Sequence, residues 1–146
     1  MGHYFANPVD FMVKTEKIDL IERYQRLNER LREAESRYGR AEGSVCLVAV
    51  SKTYTADHVR TVAIQGQRDF GENQIPDAMT KIPILEELGC SWHFIGPIQS
   101  NKCRDIAFHF DWVHSVDRTK IAKRLSDLRP TDADPIHIFI QVNLQN

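Results

Sequence analysis

The sequence predicts an α/β fold in which five strands form a parallel sheet. Two observations lead to this prediction: short β-branched apolar runs alternate with helical patterns, and small or polar residues follow each of these runs. Strands separated by helices form right-handed βαβ units, which place the strands in one direction. The chain has 146 residues, of which 42% are hydrophobic and 27% charged, as expected for one globular domain.

The first predicted element is an amphipathic helix over residues 18–38. Apolar residues recur there every three or four positions, and Gly39 follows as a natural C-terminal stop. Residues 1–14 are predicted to form a flexible extension. The domain is therefore expected to comprise residues 15–146.

The remaining elements alternate between strands and helices. Thr55 is a suitable N-cap for the second helix, and Asp117 lies near the start of the last helix. The predicted strands cover residues 45–50, 68–71, 92–95, 112–116 and 136–144. The predicted helices between them cover residues 55–65, 75–88, 101–108 and 117–129.

Two parallel architectures are compatible with this order: a doubly wound open sheet and a (β/α)8 barrel. A complete barrel typically needs about 250 residues, and this sequence ends just after the fifth predicted strand. The pattern of strands and helices alone leaves both architectures open.

Small or polar residues follow every predicted strand. Ligands bind at the carboxyl ends of the strands in both parallel architectures, so these residues are expected to converge on one pocket. They are Ser51 and Lys52; Gly71, Glu72 and Asn73; residues 96–102; residues 114–117; and Gln141, Val142 and Asn143.

Lys52 directly follows the first apolar run. Burial at the end of a buried strand disfavours the charged form of a lysine, and a neutral amine can form a Schiff base with an aldehyde. Lys52 is therefore a candidate anchor for a carbonyl cofactor. Its position alone favours a simpler interpretation, a surface lysine that closes a strand, because lysine is mostly exposed.

Composition and motifs argue against several other functions. The formal net charge of -1 indicates no basic surface for nucleic acid or membranes. Three widely spaced cysteines and the lack of an apolar signal segment suggest a reduced, cytoplasmic protein. The glycine-rich nucleotide motifs, metal-ligand histidine spacings and the nucleophile elbow are missing. His93 is expected to be a hydrogen-bonded core histidine.

Five segments resemble the pyridoxal 5′-phosphate (PLP) homeostasis proteins, relatives of the N-terminal barrel of alanine racemase. Their order and spacing match that family over roughly residues 20–144. The segments read Leu-Val-Ala-Val-Ser-Lys-Thr at 47–53, Phe-Gly-Glu-Asn at 70–73, His-Phe-Ile-Gly-Pro-Ile-Gln-Ser-Asn-Lys at 93–102, His-Ser-Val-Asp at 114–117 and Gln-Val-Asn at 141–143.

The resemblance implies a (β/α)8 barrel of which about the first five β/α units are present. It implies that PLP is held as a Schiff base on Lys52, with Asn73 lining the pocket. Ile95, Ser115 and Asn143 lie at matching strand ends and are further pocket candidates. The groups that hold the phosphate and face the pyridine nitrogen would belong to about three later β/α units. The chain is accordingly expected to be C-terminally truncated.

The resemblance also implies a cytoplasmic, non-enzymatic carrier that regulates vitamin B6 and amino-acid pools, with PLP-dependent enzymes as recipients of the cofactor. Two alternatives remain open. One is an amino-acid racemase or decarboxylase of the same barrel class, which would need a second acid/base, usually from another domain. The other is a truncated chain with impaired cofactor binding.

Overall fold

The chain folds into an α/β domain with one parallel sheet. A computed structural model describes the backbone of residues 8–144 and the side chains of residues 15–144. Residues 1–7 of the predicted extension lie outside the described residues. The strands are β1 (Ala49–Val50), β2 (Asp69–Glu72), β3 (Ser91–Phe94), β4 (Trp112–Val116) and β5 (His137–Ile140). They lie in chain order, and each neighbouring pair is parallel, which confirms the predicted sheet.

Helices connect the strands. They are α1 (Pro8–Arg37), α2 (Ala56–Ile64), α3 (Ile75–Met79), α4 (Cys103–His109) and α5 (Thr119–Leu128), with 3-10 turns at Pro83–Leu88 and Ser100–Lys102. α1 begins earlier than the predicted start at residue 18, so the later part of the predicted extension is helical. In residues 8–144, no helix combines the length and apolar composition that crossing a membrane requires.

Two helix predictions are wrong in detail. The helix predicted over residues 75–88 is broken, because Pro83 lacks the N–H that a helix interior needs and its ring clashes with the preceding turn. The last helix has Arg118 at its N-cap position, and the Asp117 carboxylate instead lies 3.4 Å from the Arg118 guanidinium. Asp117 therefore lies near the start of α5, as predicted, but it is not the N-cap and the helix begins later than residue 117.

The two edge strands are shorter than predicted. β1 pairs only through Ala49 and Val50, and β5 ends at Ile140. An edge strand has hydrogen-bonding partners on one side only, so less of its length is held in the sheet. Val50 is 47% exposed and every residue of β5 is exposed. The prediction that the first strand is buried is therefore wrong, because β1 is partly exposed.

The apolar core lies between the sheet and the helices α2–α5. Burying one large apolar side chain contributes about 1.5–3 kcal/mol, so this layer fixes the three central strands and their carboxyl ends. Its largest members are Phe70, Leu85, Trp92, Phe94, Ile98, Ile106, Phe110, Ile121 and Leu125.

Glu35 joins the end of α1 to the loop that leads into β1. Its side chain is buried, and its two oxygens accept hydrogen bonds from the Gly43 N–H at 3.0 Å and the Val45 N–H at 2.7 Å. Arg32 lies 2.5 Å from the same carboxylate. Burial acts to raise the pKa of Glu35, but the two backbone N–H groups and Arg32 lower it overall.

Replacing Glu35 with glutamine is expected to lower the melting temperature and to weaken its dependence on acid pH. Because the pKa of Glu35 is lower in the folded state, its carboxylate stabilises the fold above its ordinary pKa of 4.5, and this stabilisation is lost as pH falls through the folded-state pKa. Thermal unfolding between neutral and acid pH should show the gap between wild type and Glu35→Gln closing on acidification. The exposed neighbour Glu33, changed to glutamine, is the control. A gap that stays constant with pH would contradict this role.

Candidate cofactor-binding site

Lys52 lies in a turn that follows β1. The Tyr54 N–H closes this turn by donating to the Ser51 carbonyl at 3.1 Å. Ser51 is buried, whereas Lys52 is exposed, because β1 is an edge of the described sheet. The predicted partial desolvation of Lys52 is therefore wrong here. An accessible amine is nevertheless what reaction with an aldehyde requires, so Lys52 stays a candidate anchor.

Three other predicted site residues lie at the carboxyl ends of neighbouring strands. Asn73 follows β2, Ile95 follows β3 and Ser115 lies near the end of β4. All three are partly exposed. Since β1–β4 are parallel neighbours, these residues lie at the same carboxyl end of the sheet as Lys52. Their role in binding a cofactor stays a prediction.

Hydrogen bonds connect these strand ends in order. The Ser51 N–H donates to the Gly71 carbonyl at 3.0 Å, and the Ile95 N–H donates to the Glu72 carbonyl at 2.9 Å. The Ser115 hydroxyl donates to the Gly96 carbonyl. Hydrogen bonds thus link the carboxyl ends of the strands from β1 to β4.

Gly96 allows the chain after β3 to approach the chain after β2. A Cβ atom at this position would collide with the backbone carbonyl of Asn73, well inside the distance that real Cβ atoms keep. Backbone cannot yield as the tip of a side chain does, so only glycine fits here. The position of Asn73 therefore depends on Gly96.

Asn143 lies beyond the end of β5 and not on a strand. The Gln141 N–H still donates to the Val116 carbonyl at 2.8 Å, but β4 ends at Val116 and the pairing stops there. The predicted extension of the last strand through residue 144 is therefore wrong. A pocket role for Asn143 stays a prediction.

A buried ion network adjoins the Lys52 turn. Lys81 and Glu72 are both fully buried, and Lys81 Nζ lies 2.8 Å from Glu72 Oε1 and 3.0 Å from Asp77 Oδ2. Lys81 Nζ also donates to the Ser51 carbonyl at 2.8 Å, and the Ser51 hydroxyl donates to Glu72 Oε1 at 2.5 Å. Lys81 and Asp77 were not predicted from the sequence, although their i, i+4 spacing is typical of a helical ion pair.

The two carboxyl groups of this network have opposite pKa shifts. Burial raises the pKa of Glu72, against the effects of Lys81 and Ser51, and its Oε2 has no hydrogen-bond partner among the described residues. Burial also acts to raise the pKa of Asp77, but hydrogen bonds from Lys81 and the Thr53 N–H lower it overall. Burial thus opposes the charge on Glu72, which depends on Lys81 and Ser51 for compensation, whereas the hydrogen bonds to Asp77 favour its carboxylate form.

His93 is a hydrogen-bonded histidine of the sheet, as predicted. Its Nε2 lies 2.9 Å from Asp69 Oδ1, and its Nδ1 lies 2.9 Å from His114 Nε2. Burial, followed by the neighbouring His93, lowers the pKa of His114. These contacts account for His93 without any ligand.

Sequence comparison with curated proteins identifies the relatives of this chain. No family model matches the chain. The chain is 50% identical over 125 residues to the pyridoxal phosphate homeostasis protein of Pseudomonas aeruginosa, covering 86% of this chain and 54% of that protein. It is 41% identical over 131 residues to the protein of the same name from Escherichia coli K12, covering 88% of this chain and 56% of that protein. The chain thus spans about half the length of these relatives.

Solved structures show a similar fold. PipY of Synechococcus elongatus PCC7942, solved with PLP bound, is 42% identical with a TM-score of 0.58, covering 69% of this chain and 47% of that chain. An unknown protein from Bifidobacterium adolescentis, at 24% identity, shares the fold with a TM-score of 0.71 over 86% of this chain and 53% of that chain. The resemblance found in the strand-end segments is confirmed: the chain is a homologue of the pyridoxal phosphate homeostasis proteins and matches about half of their length.

Proposed function

We propose that this chain supplies the Schiff-base lysine and part of the pocket of a PLP-binding homeostasis protein. The observation that carries the proposal is the position of Lys52, an accessible amine that follows β1 at the same end of the sheet as Asn73, Ile95 and Ser115. The names of the relatives and the PLP bound to PipY support PLP as the aldehyde.

The residues at the carboxyl ends of β1–β4 fit the aldehyde end of the cofactor. Lys52 would supply the amine that attacks the aldehyde carbon, so that a C=N bond would replace C=O and both amine hydrogens would leave with the oxygen as water. Asn73 offers a hydrogen-bonding amide on the strand next to β1, Ser115 offers a hydroxyl oxygen three strands along the same end of the sheet, and Ile95 between them offers an apolar surface for the ring. Asn143 would join them from the β5 side. The phosphate is expected to be held by residues that follow the fifth strand.

We also propose that the sheet is part of a (β/α)8 barrel. Both edge strands support this: Val50 of β1 is 47% exposed, and Phe139 and Ile140 of β5 are 51% and 75% exposed. Apolar strand residues of this kind are normally covered by further strands or helices. The greater length of the relatives provides room for such elements.

In this proposal the protein is not an enzyme. A reversible Schiff base stores a reactive aldehyde and releases it to PLP-dependent enzymes in the cytoplasm. A racemase or decarboxylase would need a second acid/base opposite Lys52, and no contact among the described residues favours that role.

Replacing Lys52 with alanine is expected to abolish saturable labelling by PLP and borohydride. Borohydride reduces the C=N bond to a stable secondary amine, so peptide mapping identifies the lysine that carries the label. The experiment uses this chain and a chimera in which it replaces the matching part of the Pseudomonas aeruginosa relative. Lys123→Ala, at an exposed lysine of α5, is the matched control and should label normally.

Two results would contradict the proposal. One is unchanged labelling of Lys52→Ala in the chimera. The other is labelling scattered over many lysines in the wild-type chimera. Selective labelling in the chimera but not in the chain alone would place the missing part of the pocket in the remainder of the relative.

A further inference from the structure

The peptide groups on both sides of Lys52 are hydrogen-bonded to the two members of one ion pair. On the amino-terminal side, Lys81 Nζ donates to the Ser51 carbonyl at 2.8 Å. On the carboxyl-terminal side, the Thr53 N–H donates to Asp77 Oδ2 at 3.0 Å. Since Lys81 Nζ and Asp77 Oδ2 are themselves 3.0 Å apart, a single ion pair spans the turn that contains Lys52.

The turn needs such support because of its conformation. Thr53 has a φ of 68°, in the left-handed region that a β-branched residue rarely adopts. A hydrogen bond from its N–H to a charged acceptor offsets the cost of this conformation. Among the residues described, Thr53 is the only non-glycine residue with a positive φ. The strain thus lies directly next to the predicted anchor.

The acceptor is itself held in place by buried partners. Lys81 is fixed by fully buried Glu72, and Asp77 is fixed by Lys81, so the carboxylate cannot turn away without breaking the network. The pKa of Asp77 is lowered from its ordinary value of 3.8, so its carboxylate stays charged to a lower pH than that of an ordinary aspartate.

We propose that Asp77 is a positioning residue for Lys52: it holds the strained turn by accepting the Thr53 N–H, and the buried Lys81–Glu72 pair holds Asp77 in place. A fixed backbone reduces the ordering that Lys52 must undergo when it reacts with the aldehyde. The inference rests on the proposed function, because it concerns the reactivity of Lys52 toward PLP.

Asp77 suits a test of this inference better than Lys81 does. The Asp77 side chain is 32% exposed, and its loss leaves the buried Lys81–Glu72 pair in place. Loss of Lys81 would instead strand Glu72 in the core and endanger folding. The variants are therefore Asp77→Ala, the conservative Asp77→Glu and, as a control, Asp127→Ala at an exposed carboxylate of α5.

The experiment has two readouts. The first is hydrogen exchange of the Thr53 amide in this chain, which needs no cofactor. The second is the PLP concentration that gives half-maximal borohydride labelling of Lys52, in the chain and in the chimera. In Asp77→Ala we expect exchange about tenfold faster and a half-saturating concentration about tenfold higher, the size expected for losing one hydrogen bond to a charged acceptor. Asp77→Glu should restore most of both values, and Asp127→Ala should change neither.

The outcomes separate this inference from the proposed function. Unchanged Thr53 exchange in Asp77→Ala, or faster exchange with unchanged half-saturation, overturns the inference alone when wild-type labelling is selective for Lys52. Labelling that is scattered in the wild-type chimera overturns the proposed function, and the inference with it.

Discussion

Replacing Lys81 with methionine is expected to destabilise the fold by roughly 3–5 kcal/mol, the range measured when one partner of a buried ion pair is removed. The substitution leaves fully buried Glu72 and neighbouring Asp77 without a cation, and the Ser51 carbonyl loses a donor. Since small domains are stable by only about 5–15 kcal/mol, this is a large share of the total. Urea unfolding of the wild-type and variant chains measures the loss.

Two further variants identify the cause of that loss. Lys123→Met removes an exposed lysine from a surface pair with Asp127 and should stay within about 0.5 kcal/mol of wild type. Adding Glu72→Gln to Lys81→Met should recover part of the stability, because the stranded carboxylate is then gone. A Lys81→Met chain as stable as Lys123→Met would show that the network does not support the fold.

Replacing Gly96 with alanine is expected to lower stability by about 1–3 kcal/mol, as overpacking usually does, and to weaken labelling of Lys52. The new Cβ would meet the Asn73 carbonyl, so the backbone after β2 must move. This backbone lies at the end of the sheet where the pocket is predicted. Urea unfolding measures the first effect, and the PLP concentration for half-maximal labelling measures the second.

Gly71→Ala is the matched control for Gly96→Ala. A Cβ at Gly71 would lie 3.3 Å from the side chains of Ile95 and Val48, which can shift by a few tenths of an ångström. Its effect should therefore be clearly smaller. Equal losses in the two variants would mean that the Asn73 carbonyl has room to move.

The parallel sheet could be predicted because its strands are short apolar runs bounded by polar residues. β4, with helices before and after it, matches its predicted range of residues 112–116, since both of its edges are paired. The edge strands β1 and β5 were predicted too long, because a sequence run does not reveal whether a partner strand lies beside it. The break at Pro83 could have been predicted, because proline lacks the N–H that a helix interior needs. The helix predicted over residues 75–88 did not take this into account.

The position of the candidate site could also be predicted, whereas its support could not. Lys52, Asn73, Ile95 and Ser115 follow apolar runs, and the parallel sheet brings such ends together. Lys81 gave no comparable signal, because burial of a lysine depends on which carboxylates the fold places around it. Glu72 lies 9 positions and Ser51 lies 30 positions away along the chain. Only the tertiary structure reveals that these groups meet.

The order of the strands also bears on how the protein is made. Each strand pairs with the one that precedes it along the chain, separated from it only by a helix or turn and the connecting loops. As the ribosome releases the chain, each of the strands β2–β5 therefore emerges after the neighbour with which it pairs. The described sheet is suited to grow from β1 during synthesis, with only β1 and the newest strand unpaired on their outer sides at any moment.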